Sequence, residues 1–89
     1  MRESETNKEK SPVKSSFAKK VLAENLRRLR TEAGLSQEEL ADRAGLHRTY
    51  VSSVEGGHRN VTLENIFAFA EALGTTPSVL VRLPAEGKK

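Results

Sequence analysis

Apolar residues recur along this chain at intervals of three and four, and polar or glycine-bearing breaks divide them into five segments. Leu22, Leu26 and Leu29 form the stripe of a first helix, which Ser15 or Ser16 caps and which runs to Ala33 before Gly34 stops it. Leu40 and Ala44 lie one turn apart on a short second helix, where Ala41 is small enough to let another helix cross closely. Val51 and Val54 give a third helix its inward side. Gly56 and Gly57 then turn the chain. Thr62 caps a fourth helix on which Leu63, Ile66, Phe69, Ala70 and Leu73 share a face, with Gly74 at its end. Thr76 with Pro77 starts a fifth helix, Ser78 to about Leu83, before Pro84. Nothing alternates with the period of a strand, so the pattern predicts an all-α fold of five helices.

The second and third helices are the most informative. In SQEELADRAGLHRTYVSSVE, residues 36–55, Ser36 as N-cap and Glu39 three places on make a capping box, each side chain satisfying a backbone N–H that the helix start leaves unpaired. Gly45 reverses the chain because glycine accepts positive φ without steric cost, and Leu46 tucks under the turn. Two short helices across a tight turn read as a helix-turn-helix. With Val51 and Val54 inward, the third helix presents Arg48, Thr49, Ser52 and Ser53 outward, with His47 at its start. Arg48 is the candidate for reading sequence, since a planar guanidinium can donate two hydrogen bonds to a guanine edge in the major groove; a solvated surface arginine is the competing reading. Thr49 suits a thymine methyl or a base acceptor, and Ser52 and Ser53 suit bases or phosphates. Tyr50 has two readings: a phosphate contact through its hydroxyl, or a ring packed on the surface with the hydroxyl in water. Arg59 and Asn60, in the loop before the fourth helix, suit a clamp on the nucleic-acid backbone, against a plain polar loop.

Residues 1–15 carry almost no apolar side chain and include Pro12, so they read as a disordered tail; residues 16–83 form the folded domain and 84–89 a second polar tail. A single small core fits 89 residues of which 36% are hydrophobic and 30% charged, with no span for a membrane. The chain has no Cys, which removes disulfides and thiolate metal sites and agrees with a reducing cytoplasm. No apolar run near the first residue would serve as a signal peptide, so a cytoplasmic location is expected. The net charge of +3 is a mild bias toward polyanions. Its distribution says more: Lys19, Lys20, Arg27, Arg28 and Arg30 crowd the first helix, while Glu38, Glu39 and Asp42 make the second acidic.

Two stretches, SQEELADRAGL and HRTYVSSVEGGHRNVTLENI, carry a family resemblance. The chain resembles the phage repressor and Cro-type (xenobiotic response element type) regulators, and Arg48-Thr49-Tyr50 followed by Glu55 and Arg59-Asn60 is most like the restriction-modification controller proteins among them. The resemblance implies a five-helix phage-repressor-like DNA-binding domain with helices two and three as the motif. It also implies a sequence-specific transcription regulator acting as a homodimer on a palindromic operator in double-stranded DNA. It assigns Gln37, with free backbone N–H groups beside it, to a phosphate, and Arg30 with Glu55 to a structural salt bridge. Acidic residues on the second helix touch RNA polymerase in related phage activators, which marks Asp42 with Glu38 for that partner. One departure stands out: relatives often place Asp, Ser or Thr where His47 stands, and an imidazole is a poorer N-cap.

Phe67, Val79, Val81 and Leu83 offer more apolar surface than a core this small needs, and a dimer interface is the natural use; completion of the monomer's core is the competing reading. An antitoxin-like module that binds a partner protein through its tail is the alternative function, but residues 1–16 supply only Val13 beyond Met1 as an anchor. Two histidines, His47 and His58, make no metal site by themselves, and no phosphate-binding loop, dinucleotide fingerprint or nucleophile motif is present. Neither an enzyme nor a cofactor is expected.

Overall fold

A computed structural model describes residues 14–84, so the expected disorder of the two tails lies outside the described residues except at their inner edges. Five helices follow one another: α1 Ser15–Glu32, α2 Gln37–Ala44, α3 Arg48–Glu55, α4 Leu63–Leu73 and α5 Pro77–Leu80. No strand occurs among the described residues, in agreement with the all-α expectation.

The three-and-four spacing becomes one core. Leu22 and Leu26 of α1, Leu40 and Ala41 of α2, Val51 and Val54 of α3, Phe69 and Ala70 of α4 and Leu80 of α5 pack together with Leu35, and Phe69, Leu26, Leu40, Val51 and Leu80 are wholly enclosed. Each such side chain contributes about 1.5–3 kcal/mol by leaving water. Because Ala41 is small, α3 crosses α2 closely, while α4 and α5 pack on each other and back onto α1. Gly45, at φ 72°, lets the Leu46 N–H donate to the Ala41 carbonyl (2.9 Å) and the Gly45 N–H to that of Asp42 (3.3 Å), closing the turn that aims α3.

Two boundaries and one burial differ from the expectation. Lys14, not Ser15 or Ser16, occupies the N-cap of α1 and makes no side-chain cap bond; its carbonyl accepts the Ala18 N–H (3.1 Å), so both serines lie inside the first turn. The fifth helix stops at Leu80 rather than near Leu83. Pro84 disfavours helical backbone just before it, and the Asn25 amide of α1 takes the carbonyls of Leu80 (2.7 Å) and Arg82 (2.9 Å), holding the segment after α5 out of the helix. Leu63, placed by spacing on the apolar face of α4, is 67% exposed, because it is the first helical residue and projects past its neighbours.

Candidate nucleic-acid interface

Ser36 starts α2 as its residue type requires. Its hydroxyl accepts the Glu39 N–H (3.0 Å) and the Glu39 carboxylate accepts the Ser36 N–H (2.8 Å), so the capping box forms. These bonds hold the Glu39 carboxyl below its ordinary range, the backbone bond most strongly. Gln37 is therefore fixed as the first residue of a rigid helix, next to backbone N–H groups of the first turn.

Helix α3 buries Val51 and Val54 and turns Arg48, Thr49 and Ser52 to solvent, with Ser53 half-buried beside them. His47 occupies the N-cap without a side-chain cap bond, as the poor capping power of imidazole predicts. Arg48 and His47 share an open crevice with Glu38 and Asp42 of α2, and Arg48 forms no ion pair among the described residues. Its side chain is exposed to solvent.

The far end of α3 is tied down. Arg30 donates from Nε to Glu55 Oε2 (2.6 Å) and from Nη2 to Oε1 (3.0 Å), and its Nη1 donates to the Leu35 carbonyl (2.7 Å). The two side chains are 12% and 3% exposed, and the Glu55 carboxylate raises the arginine above its ordinary value, chiefly through the hydrogen bond. The pair assigned by resemblance is present. Gln37 joins it, its Nε2 donating to Glu55 Oε1 (3.0 Å).

Tyr50 and the loop after α3 form a second cluster. The Tyr50 ring lies nearly parallel to Phe69, 6.3 Å between centroids, and the Arg59 guanidinium carbon sits 5.1 Å from its centroid. The ring is packed, as one of the two sequence readings has it. Its hydroxyl, however, accepts a hydrogen bond from Asn65 Nδ2 (3.0 Å) and keeps its own hydrogen to donate. Asn60 is exposed in the same loop.

A family profile described as helix-turn-helix matches residues 26–80. The chain belongs to the helix-turn-helix family. It is similar to control protein C.SmaI of Serratia marcescens, with 52% identity over 65 residues that cover 72% of this chain and 77% of that protein. It is also similar to the crystal structure of the restriction-modification controller protein C.AhdI from Aeromonas hydrophila, at 50% identity and a TM-score of 0.68 over 70% of this chain and 94% of that one. The controller protein C.Esp1396I, solved as a tetramer in complex with its natural 35 base-pair operator, matches at 30% identity and a TM-score of 0.67, covering 72% and 84% of the two chains.

Within this helix-turn-helix chain, spacing located the outward side chains of α3, but two supporting asparagines escaped it. Asn65 follows the Thr62 cap, whose hydroxyl accepts the Asn65 N–H (3.1 Å), and nothing in sequence marks Tyr50, fifteen residues away, as the partner of its amide. Asn25, a poor helix former among the leucines of α1, was the visible signal for the clasp on the chain after α5. Of the expected interface residues, Phe67 (55%), Val81 (49%) and Leu83 (62%) are exposed, whereas Val79 is half-buried. Phe17, which the pattern did not single out, lines an apolar cleft with Val21, Val81 and Leu83.

Proposed function

We propose that the chain is a transcription regulator of the restriction-modification controller kind, which binds a palindromic operator as a homodimer in the cytoplasm. The observation that carries this reading is the free outer face of α3, with Arg48, Thr49 and Ser52 exposed and Ser53 half-buried beside them on a helix whose opposite face and far end are fixed. Arg48 reads a guanine, His47, Thr49, Ser52 and Ser53 contact neighbouring bases, and Gln37, Tyr50, Arg59 and Asn60 grip phosphates on both sides. The C.Esp1396I operator complex supports both the operator and the assembly of more than one copy. Phe67, Val81 and Leu83, with the half-buried Val79, supply the dimer contact. Two-fold symmetry then sets the recognition helices about 34 Å apart, one turn of B-DNA.

Asp42 and Glu38, exposed beside the groove-facing helix, form the surface for RNA polymerase when the regulator activates transcription. Carboxylates there repel phosphates, so they need another use. Glu38 also favours its helix dipole, but Asp42 lies beyond the first turn. Footprinting on DNA flanking the gene, with light scattering of the free protein, tests the central reading: a protected two-fold site and a dimer mass are expected. A monomer at tens of micromolar, alone and on DNA, overturns the palindromic mode, and no protected site overturns the operator itself. The antitoxin-like reading has no specific observation in its favour.

A further inference from the structure

The Glu55 carboxylate has an acceptor-only inventory, and its three contacts come from two residues on two other helices. Arg30 of α1 donates twice, and the amide nitrogen of Gln37 at the start of α2 donates once, while Glu55 itself ends α3. One nearly enclosed carboxylate thus sets where the first residue of the supporting helix points relative to the recognition helix.

The chemistry of this contact is directional. An ionised carboxylate already engaged by a guanidinium accepts hydrogen bonds and cannot donate one, so it selects the NH2 end of the Gln37 amide over the oxygen. A primary amide nitrogen carries two hydrogens roughly 120° apart, so committing one to Glu55 fixes the plane of the amide and the direction of the other. Ser36 takes the Glu39 and Leu40 N–H groups, leaving those of Gln37 and Glu38 in the first turn. The second amide hydrogen and these two N–H groups are the donors available to a phosphate oxygen at this helix start.

We infer that Glu55 is a positioning residue for the DNA backbone contact of Gln37: it orients the Gln37 amide before DNA arrives, so that the second N–H meets phosphate without a loss of rotamer freedom. This rests on the reading of Gln37 as a phosphate donor, and deepens it by naming what aims the donor. A carboxylate near a phosphate is otherwise unfavourable; here Arg30 neutralises it, so Glu55 can orient the amide without repelling the nucleic acid.

A double-mutant cycle tests this. Operator and random-DNA affinities are measured as a function of salt for the parent, Gln37→Met, Glu55→Gln and the double variant, at a temperature where calorimetry shows each folded. Gln37→Met is expected to weaken both DNAs alike, roughly tenfold for two half-sites, with the salt slope unchanged because a neutral donor releases few counterions. In the Glu55→Gln background the same change is expected to weaken binding less than threefold. An equal loss in both backgrounds overturns the positioning role and leaves the phosphate contact intact; no loss in either overturns the contact. The parent protein gives a second readout, which stands even if Glu55→Gln fails to fold. In 15N-edited spectra of the free protein one Nε2 hydrogen of Gln37 should lie away from the position of a solvent-exposed glutamine amide, exchange slowly with water and stay unmoved by DNA, while the other shifts as DNA is added. Two hydrogens that both sit at the positions of a solvent-exposed glutamine amide and both exchange rapidly with water in the free protein overturn the inference.

Discussion

Helices α2 and α3 are the same length, eight residues each, and are secured at opposite ends. The supporting helix α2 is closed at its start by the Ser36–Glu39 box and carries two carboxylates in its first turn. The recognition helix α3 starts on His47 without a side-chain cap and has no acid in its first turn; its fixed point is the last residue, Glu55, held by Arg30 and Gln37. A helix start concentrates unpaired N–H groups and positive partial charge. In α2 the protein spends part of that potential on its own side chains, which makes the helix a rigid platform. In α3 it leaves the start open and anchors the other end, so the helix is held firmly while its start stays without a side-chain cap.

The sharpest way to break this contrast is to release the anchored end. Glu55→Ala leaves the nearly buried Arg30 guanidinium without its carboxylate, and breaking a buried pair from one side costs about 3–5 kcal/mol. Much of the stability of so small a domain should go, visible as a urea midpoint far below the parent's. A loss under about 1 kcal/mol would mean that α3 is held by Val51 and Val54 packing, with the ion pair incidental.

At the open end the expected effect falls on binding. Arg48→Ala should weaken operator binding by about 1–3 kcal/mol and random DNA much less, with the melting curve unchanged because the side chain is exposed and forms no ion pair among the described residues. Titrations on the two DNAs separate the roles: equal losses would reassign Arg48 from base reading to phosphate binding.

How much of this contrast was legible in the sequence follows the range of the interactions. Capping is local, so Ser36 with Glu39, the Thr62 cap and the missing cap at His47 were all readable from residue type and a three-residue spacing. The outward set on α3 followed from Val51 and Val54. The anchor at Glu55 was not readable from spacing: its partners lie 25 and 18 residues away, and only family resemblance assigned Arg30. Gln37 was assigned to a phosphate alone, with no sign that Glu55 would hold its amide. Leu63 failed for a different reason, since helical phase puts it on the apolar face while its place in the first turn puts it beyond the neighbours that would cover it. The ends of α1 and α5 shifted because backbone closure by Lys14 and the Asn25 clasp outweighed propensity.

Changing the two caps should move stability in opposite directions. Ser36→Ala removes the acceptor for the Glu39 N–H and should cost about 1 kcal/mol, while His47→Ser adds a cap that α3 lacks and should gain about 0.5–1 kcal/mol. Denaturant midpoints check both. If His47 contacts DNA, the stabilised variant should bind operator more weakly than the parent. A stabilised variant with unchanged affinity would remove His47 from the interface, and no gain in stability would mean that the start of α3 is already satisfied.

The smallest expected effect is the pH dependence of the box in α2. Glu39 accepts the Ser36 N–H and its carboxyl is held below the ordinary value of 4.5, so in the folded chain the proton binds less readily than in the unfolded one. The unfolded state therefore takes up protons first as the solution is acidified. The carboxylate's contribution is fully present above about pH 4.5 and is lost as the pH falls through the lower folded value. Glu39→Gln keeps an oxygen for the Ser36 N–H but does not titrate. Parent and variant should differ most in melting temperature near pH 7 and converge as the pH falls below 4.5 through the lowered folded value, a comparison that cancels the other acidic groups. A gap that stays constant across that range would show that Glu39 acts in the box by shape alone. The contrast between the two helix starts would then rest on the Ser36 hydroxyl, with no electrostatic part.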